Sequence, residues 1–260
     1  MRNISVYIVA YNEETKVQAA LESIAWADEI VLADSGSTDR TVELAEGFGA
    51  RVIQIPFEGF GNLRNRTVDA CSHEWIFSLD ADERCTEEVR DEIKGVIADP
   101  DALDAYFVPR RNYFLGRWIR HSGWYPDYRQ PQLFRKGTLR YREDLVHEGF
   151  IVDSRIGYLK HAIWQFPFQD LSEVLAKMQR YSSLGAEKLT LHGAKSSMGK
   201  ALLHALVAFV RIYIIKAGFL DGWAGFVIAL GNFEGTFYRY AKRAVGQNRW
   251  NMPPIKLDKN

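Results

Sequence analysis

The sequence predicts an α/β fold, a mostly parallel sheet covered by helices on both faces, followed by a helical C-terminal appendage. Three observations carry this expectation. Over the first hundred residues, short apolar runs alternate with segments of helical spacing, as in sheets built from strand–helix–strand units. The polar residues Asn12, Asp34, Asp80 and Asp82 fall at or just past the ends of the apolar runs, where such sheets bind ligands. From about Leu171 onward the pattern turns helical and stays so.

Taken in order, Ile4 to Val9 reads as a strand, and Val17, Ala20, Leu21 and Ile24 recur at helical spacing. Glu29 to Ala33 is an apolar strand ending at Asp34. Thr41 to Phe48 is a short helix stopped by Gly49. Arg51 to Ile55 is a third strand, Asn62 to Cys71 a helix, and Trp75 to Leu79 a fourth strand ending at Asp80. Glu87 to Ile97 places Val89, Ile93, Val96 and Ile97 on one helical face and closes at Asp99-Pro100. Ala105 to Tyr141 is aromatic and reads as irregular. The expected division is a catalytic domain over 1–165, with a nucleotide-sugar half (1–100) and an acceptor half (101–165), and a helical, amphipathic, basic region over 166–260.

Composition narrows the function. The 33 basic and 33 acidic side chains cancel, whereas a nucleic-acid binder usually carries a basic excess. A nucleic-acid partner is therefore not expected. Cys71 and Cys85 fit no metal spacing and read as reduced thiols of a cytosolic protein. The N-terminus runs straight into a strand pattern, with no signal-peptide core. No Gly-rich loop follows the first strand, which disfavours nucleotidyltransferases and dinucleotide-dependent oxidoreductases.

The chemistry centres on Asp80-Ala81-Asp82. Two carboxylates one residue apart, just past a buried strand, can meet the ribose of a nucleotide and a hard divalent cation, Mg or Mn. Such a cation takes few carboxylates and completes its shell with phosphate oxygens and water. The competing reading is an acidic turn in which Asp82 or Thr86 caps the next helix. Asp34 can accept an imide N–H and so distinguish uracil, or it can simply close a strand-to-helix turn. Tyr11 can lie against a base, and Asn12 or Glu13 can contact the nucleoside. Arg64-Asn65 is a candidate for the diphosphate, because guanidinium matches phosphate geometry. A base is needed to take the acceptor proton, and Glu148, Asp144 and Glu143 all qualify. His147 or His161 can complete a metal shell.

In this order and spacing, Val9-Ala10-Tyr11-Asn12-Glu13-Glu14, Asp34-Ser35-Gly36-Ser37-Thr38-Asp39 and Leu79-Asp80-Ala81-Asp82-Glu83 resemble family 2 glycosyltransferases of the GT-A fold, the Rossmann-like nucleotide-diphospho-sugar transferases. Gln132-Leu133-Phe134-Arg135, Val146-His147-Glu148 and Lys216 through Gly222 look like a bacterial subgroup that includes lipopolysaccharide core β-1,4-glucosyltransferases. The resemblance implies inversion, a UDP-sugar donor, a divalent metal and a lipopolysaccharide-core or other glycolipid acceptor. It implies uracil at Asp34, ribose and sugar near Asp80, metal at Asp82, and a base at Glu148 or, next, Asp144.

The C-terminal region carries a further expectation. Ala201 to Ile215 is too short, and with His204 and Arg211 too polar, to span a bilayer. Beside it stand Phe219, Trp223, Phe226, Phe233, Phe237, Tyr238 and Tyr240, then a basic tail from Arg239. That combination predicts peripheral attachment to the anionic cytoplasmic face of the inner membrane. The alternative is a cap on the catalytic domain or a homo-oligomer contact.

Overall fold

The structure is a computed structural model that describes residues 2–143 and 149–246. The chain forms two compact units. One holds Met1–Trp118 and Trp124–Pro167; the other holds Ile119–Gly123 and Phe168–Asn260.

The first unit opens with β1 (Ile4–Ala10), α1 (Val17–Ser23), β2 (Glu29–Asp34), α2 (Thr41–Gly47), β3 (Arg51–Gln54), α3 (Phe60–Ala70) and β4 (Trp75–Ser78). Strands β4, β1, β2 and β3 lie side by side and parallel. Alternate residues of a strand face opposite ways, and here both faces are covered. Val6, Ile8 and Phe77 join a core with α1 and α4 (Glu87–Ala98), while Tyr7, Val31 and Ile76 join Val68 of α3 on the other side. Helix α4 begins at Thr86, whose hydroxyl accepts from the Val89 N–H at 3.3 Å. Thr86, rather than Asp82, is therefore the cap. Cys71 and Cys85 are buried and unbridged.

The aromatic stretch after residue 104 is not irregular. It contains β6 (Ala105–Phe107), β7 (Arg110–Phe114), β8 (Arg117–Trp118), β9 (Pro131–Arg135) and β10 (Leu139–Tyr141), followed by β11 (Phe150–Val152), β12 (Ile156–Tyr158) and β13 (Ile163–Gln165). Strands of two to five residues are too short to display an alternation. Strand β9 runs antiparallel between β4 and β6, so the seven-stranded sheet β12-β6-β9-β4-β1-β2-β3 is mixed. A second sheet, β5-β13-β7-β8, contains β5 (Glu83–Arg84) and lies immediately past the Asp80–Asp82 turn in sequence.

The second unit consists of α5 (Leu171–Leu191), α6 (Met198–Val210), a π-helical turn (Arg211–Ile215), a 3-10 turn (Gly218–Asp221) and α7 (Gly222–Gly246). The expectation that the apolar stretch here is too short is corrected. Helix α6 starts at Met198 and runs on through the π turn, giving 18 residues of mean hydropathy 1.7, only 11% buried. By length and composition that helix is long and apolar enough to cross a membrane.

Candidate active site

Parallel strands end together, so the loops after β1, β2 and β4 meet at one edge. Ala10 pairs with Asp34 in register, and the Leu79 N–H donates to the Tyr7 carbonyl. The loops after β1 and β2 are stitched to each other. Asn12 takes the left-handed conformation that asparagine tolerates, with φ +54°. Its Oδ1 accepts from the Thr38 N–H at 2.8 Å, its own N–H donates to Ser37 Oγ at 2.8 Å, and the Glu13 N–H donates to Thr41 Oγ1 at 2.8 Å. Asn12 and Glu13 thus build the cradle, and Tyr11 leaves its ring exposed beside it.

Asp34 is buried, and its carboxylate accepts from the Gly36 N–H at 3.0 Å, the Ser37 N–H at 3.0 Å and Ser37 Oγ at 2.5 Å. The turn itself therefore uses the oxygens that the sequence reading offers to a base. The neighbouring Ser35 Oγ is buried with no hydrogen-bond partner. Sequence reading passed over Ser35, because a serine in a turn carries no signal.

The turn after β4 is organised from a distance. The Asp80 carbonyl accepts from the Glu83 N–H at 2.9 Å, and the Asp80 N–H donates to Glu83 Oε2 at 2.9 Å. Arg64, buried in α3, donates to Asp80 Oδ1 at 2.7 Å and to Ser78 Oγ at 3.1 Å, with the Tyr141 ring 5.6 Å away. Burial alone would raise the Asp80 pKa, but the charges of Arg64 and Arg110 outweigh it and hold the carboxyl below its ordinary range. Asp80 is thus ionised and fixed. Arg64 therefore braces Asp80. Ala81, between the two acids, packs into the core. Both Asp82 carboxylate oxygens lie 3.2–3.3 Å from the Gln165 amide nitrogen on β13.

Beneath the turn lies a buried polar network. Glu83 accepts from Arg110 Nε at 2.5 Å and from Gln132 Nε2 at 2.9 Å, and Gln132 also reaches the Ser78 carbonyl at 3.1 Å. Burial, reinforced by Asp80 and Asp82, pushes the Glu83 carboxyl up despite Arg110. Arg110 is fully buried, with its charge turned to Glu83. Nothing in the spacing of Glu83, Arg110, Gln132 and Gln165 announces their meeting, since they lie on four different strands.

Asn65 ties α3 to the chain at the end of β10. Its amide donates to the Tyr141 carbonyl at 2.9 Å and to Glu143 Oε1 at 3.0 Å, and its oxygen accepts from the Tyr141 N–H at 2.9 Å. A Cβ on Gly61 would sit 1.9 Å from the Arg142 carbonyl oxygen, so only glycine allows α3 to approach this chain. The Arg142 N–H donates to the Gly149 carbonyl at 2.8 Å. Asp144, His147 and Glu148 lie outside the described residues. His161 is held by Glu92 of α4 at 2.9 Å. Among the described residues, no three His, Cys, Asp or Glu side chains gather to hold a metal. The hard oxygens of Asp82 still suit a divalent cation that takes most of its shell from phosphate and water.

Fold and turn geometry together define a GT-A-type α/β domain, with its ligand edge at the C-terminal ends of β1, β2 and β4. The chain belongs to glycosyl transferase family 2, whose model matches residues 5–166. It is 28% identical to the lipopolysaccharide core biosynthesis glycosyltransferase LpsC of Rhizobium meliloti, over 92% of this chain and 91% of that protein. It is 26% identical to an uncharacterized glycosyltransferase of Rickettsia bellii, over 93% and 86% of the two chains. Among solved structures it matches glucosyl-3-phosphoglycerate synthase from Mycobacterium tuberculosis in part, with a TM-score of 0.37 and 27% identity. That match covers 43% of this chain and 44% of the other.

Proposed function

We propose that the chain is a metal-dependent, inverting hexosyltransferase. It moves a sugar, glucose by resemblance, from a UDP-sugar to a hydroxyl of a lipopolysaccharide core or other lipid-linked glycan at the cytoplasmic face of the inner membrane. The observation that carries this reading is the Asp80–Asp82 turn: an ionised Asp80 fixed by buried Arg64, and Asp82 beside it at the edge shared with the loops after β1 and β2. The similarity to LpsC along nearly the whole chain supports the acceptor class.

In this reading Tyr11 lies against the base, Asn12 and Glu13 shape the nucleoside cradle, and Asp34 sets the turn that brings Ser35 to the base. Asp80 faces the ribose and the sugar. Asp82 holds a Mg or Mn ion, which when bound offsets the charge growing on the departing diphosphate. The acceptor hydroxyl oxygen forms a bond to the anomeric carbon on the face opposite the leaving group. The bond from that carbon to the diphosphate oxygen breaks, and its electron pair leaves with UDP. The hydroxyl proton passes to Glu148, with Asp144 as the alternative base. His147 or His161 completes the metal shell in this reading, with His161 placed by its contact to Glu92.

The test is UDP release by the purified chain with UDP-glucose and other UDP-sugars, Mg or Mn, and lipopolysaccharide-core fragments as acceptors. The expected result is release that requires both acceptor and metal and stops with chelator. Donor binding without acceptor-dependent release across the panel would leave a sugar-nucleotide-binding module instead. Release that persists in excess chelator would remove the metal from the proposal.

A further inference from the structure

The second unit buries mainly small residues, with Ile228 of α7 the large exception, and turns many large apolar ones outward. Ala201 and Ala205 are the buried residues of α6, and Ala186 of α5 and Ala224, Gly225 and Ala229 of α7 are buried as well. The 3-10 turn lies close on the start of α7: a Cβ on Gly225 would lie 1.8 Å from the Gly218 carbonyl oxygen. By contrast Leu203, Val207, Val210, Ile214, Phe219 and Trp223 are all about half exposed or more. Helices that pack in lipid join through small residues and turn bulky apolar side chains outward. In water this arrangement leaves a row of large apolar side chains exposed, the kind of surface that marks a protein or membrane contact.

Charge identifies what covers it. From Lys195 to Phe233 the chain carries Lys195, Lys200, Arg211 and Lys216, all exposed, against a single acid, Asp221. Asp221 is buried and accepts from the backbone N–H groups of Arg120 and His121 at 3.1 Å and from Ser122 Oγ at 2.8 Å. The face therefore presents apolar groups and cations and no exposed carboxylate. A second copy would bring like charges together. Lys200, His204 and Arg211, spread along the 18-residue helix, would be costly in hydrocarbon.

We propose that α6, the π turn and the start of α7 form a docking surface for an anionic lipid bilayer, lying in the interface rather than crossing it. Basic groups meet lipid phosphates while the apolar side chains enter the acyl boundary. The inference deepens the membrane placement proposed above, yet it uses none of the transfer-site residues, so the two can fail separately.

The experiment is flotation of the full chain with vesicles of phosphatidylcholine alone or mixed with phosphatidylglycerol, at low and high salt. The expected result is flotation with the anionic vesicles that weakens in high salt, and little with phosphatidylcholine. Lys200→Gln and Arg211→Gln should each lower partitioning about fivefold. The double variant Leu203→Asp/Val207→Asp should stop floating while keeping its circular dichroism, its solution mass and its turnover on a water-soluble acceptor. Absence of flotation at low salt would overturn the proposal. So would salt-resistant flotation with both vesicle types, which indicates insertion across the bilayer. A fall from dimer to monomer mass in the double variant, with flotation unchanged, would assign the face to a second copy.

Discussion

Asp34 and Asp80 occupy equivalent places, each at the C-terminal end of a parallel strand, and the chain uses them in opposite ways. Asp34 takes its donors from residues two and three positions on, so its turn is complete by itself. Asp80 takes its charge partner from Arg64, sixteen residues earlier on α3, and its backbone N–H reaches Glu83, which Arg110 and Gln132 hold in turn. A carboxylate held by its own turn is positioned by local sequence alone. One held from afar, as Asp80 is by Arg64, depends on the tertiary fold for its position. The lesson is that a strand-end acid is best read by where its partners come from.

The largest effect expected of this contrast is on chemistry. Asp82→Ala should remain folded, because the turn is closed by the backbone of Asp80 and by Glu83. Acceptor-dependent UDP release should nevertheless fall about a thousandfold or more. Near-normal release would leave this turn with a structural role alone. Next, Arg64→Ala should cost about 3 kcal/mol in chemical denaturation, because it strands a largely buried carboxylate. An unchanged denaturation midpoint would show that solvent or another cation satisfies Asp80.

Glu148→Gln sharpens the contrast between holding the donor and performing the reaction. Donor affinity should stay within a few-fold of the parent while turnover falls about a hundredfold. If Asp144→Asn alone shows that loss, the base is Asp144. On the other turn, Asp34→Asn keeps one acceptor oxygen and should lose about 1–2 kcal/mol of stability. Ser35→Ala should keep the fold and weaken donor binding a few-fold, read by calorimetric titration. Donor binding abolished in Asp34→Asn without any loss of stability would make Asp34 itself the contact to the base.

The smallest effect lies at the opposite end of β2, away from both turns. Burial would raise the Glu29 carboxyl, but hydrogen bonds from Ser5, Ser72 and Arg51 outweigh it and bring it down to about 2 from 4.5. Its stabilisation is therefore present above the ordinary carboxyl range and lost as pH falls towards 2. Ser5→Ala should move the acid-unfolding midpoint upward by a few tenths of a pH unit. No movement would mean that Ser72 and Arg51 suffice.

The sequence by itself determined the α/β half of the molecule. A buried parallel strand is a continuous apolar run, and its polar stop is visible in one dimension, as at Asp34 and Asp80. Helices α1 to α4 were legible for the same reason, because their spacing repeats within the segment. Tertiary structure decided the rest. The short aromatic strands after residue 104 find their partners far away in sequence, and β9 enters the sheet antiparallel only because β4 and β6 flank it. The brace of Arg64 on Asp80, the Glu83–Arg110–Gln132 network and the bond of Gln165 to Asp82 each join separate elements, so no spacing encodes them. In the second unit, composition shows a helix rich in leucine and valine. Only the packing decides that its alanines face the neighbouring helix and its large side chains face outward, because an amphipathic stripe records which residues differ and not what lies against them.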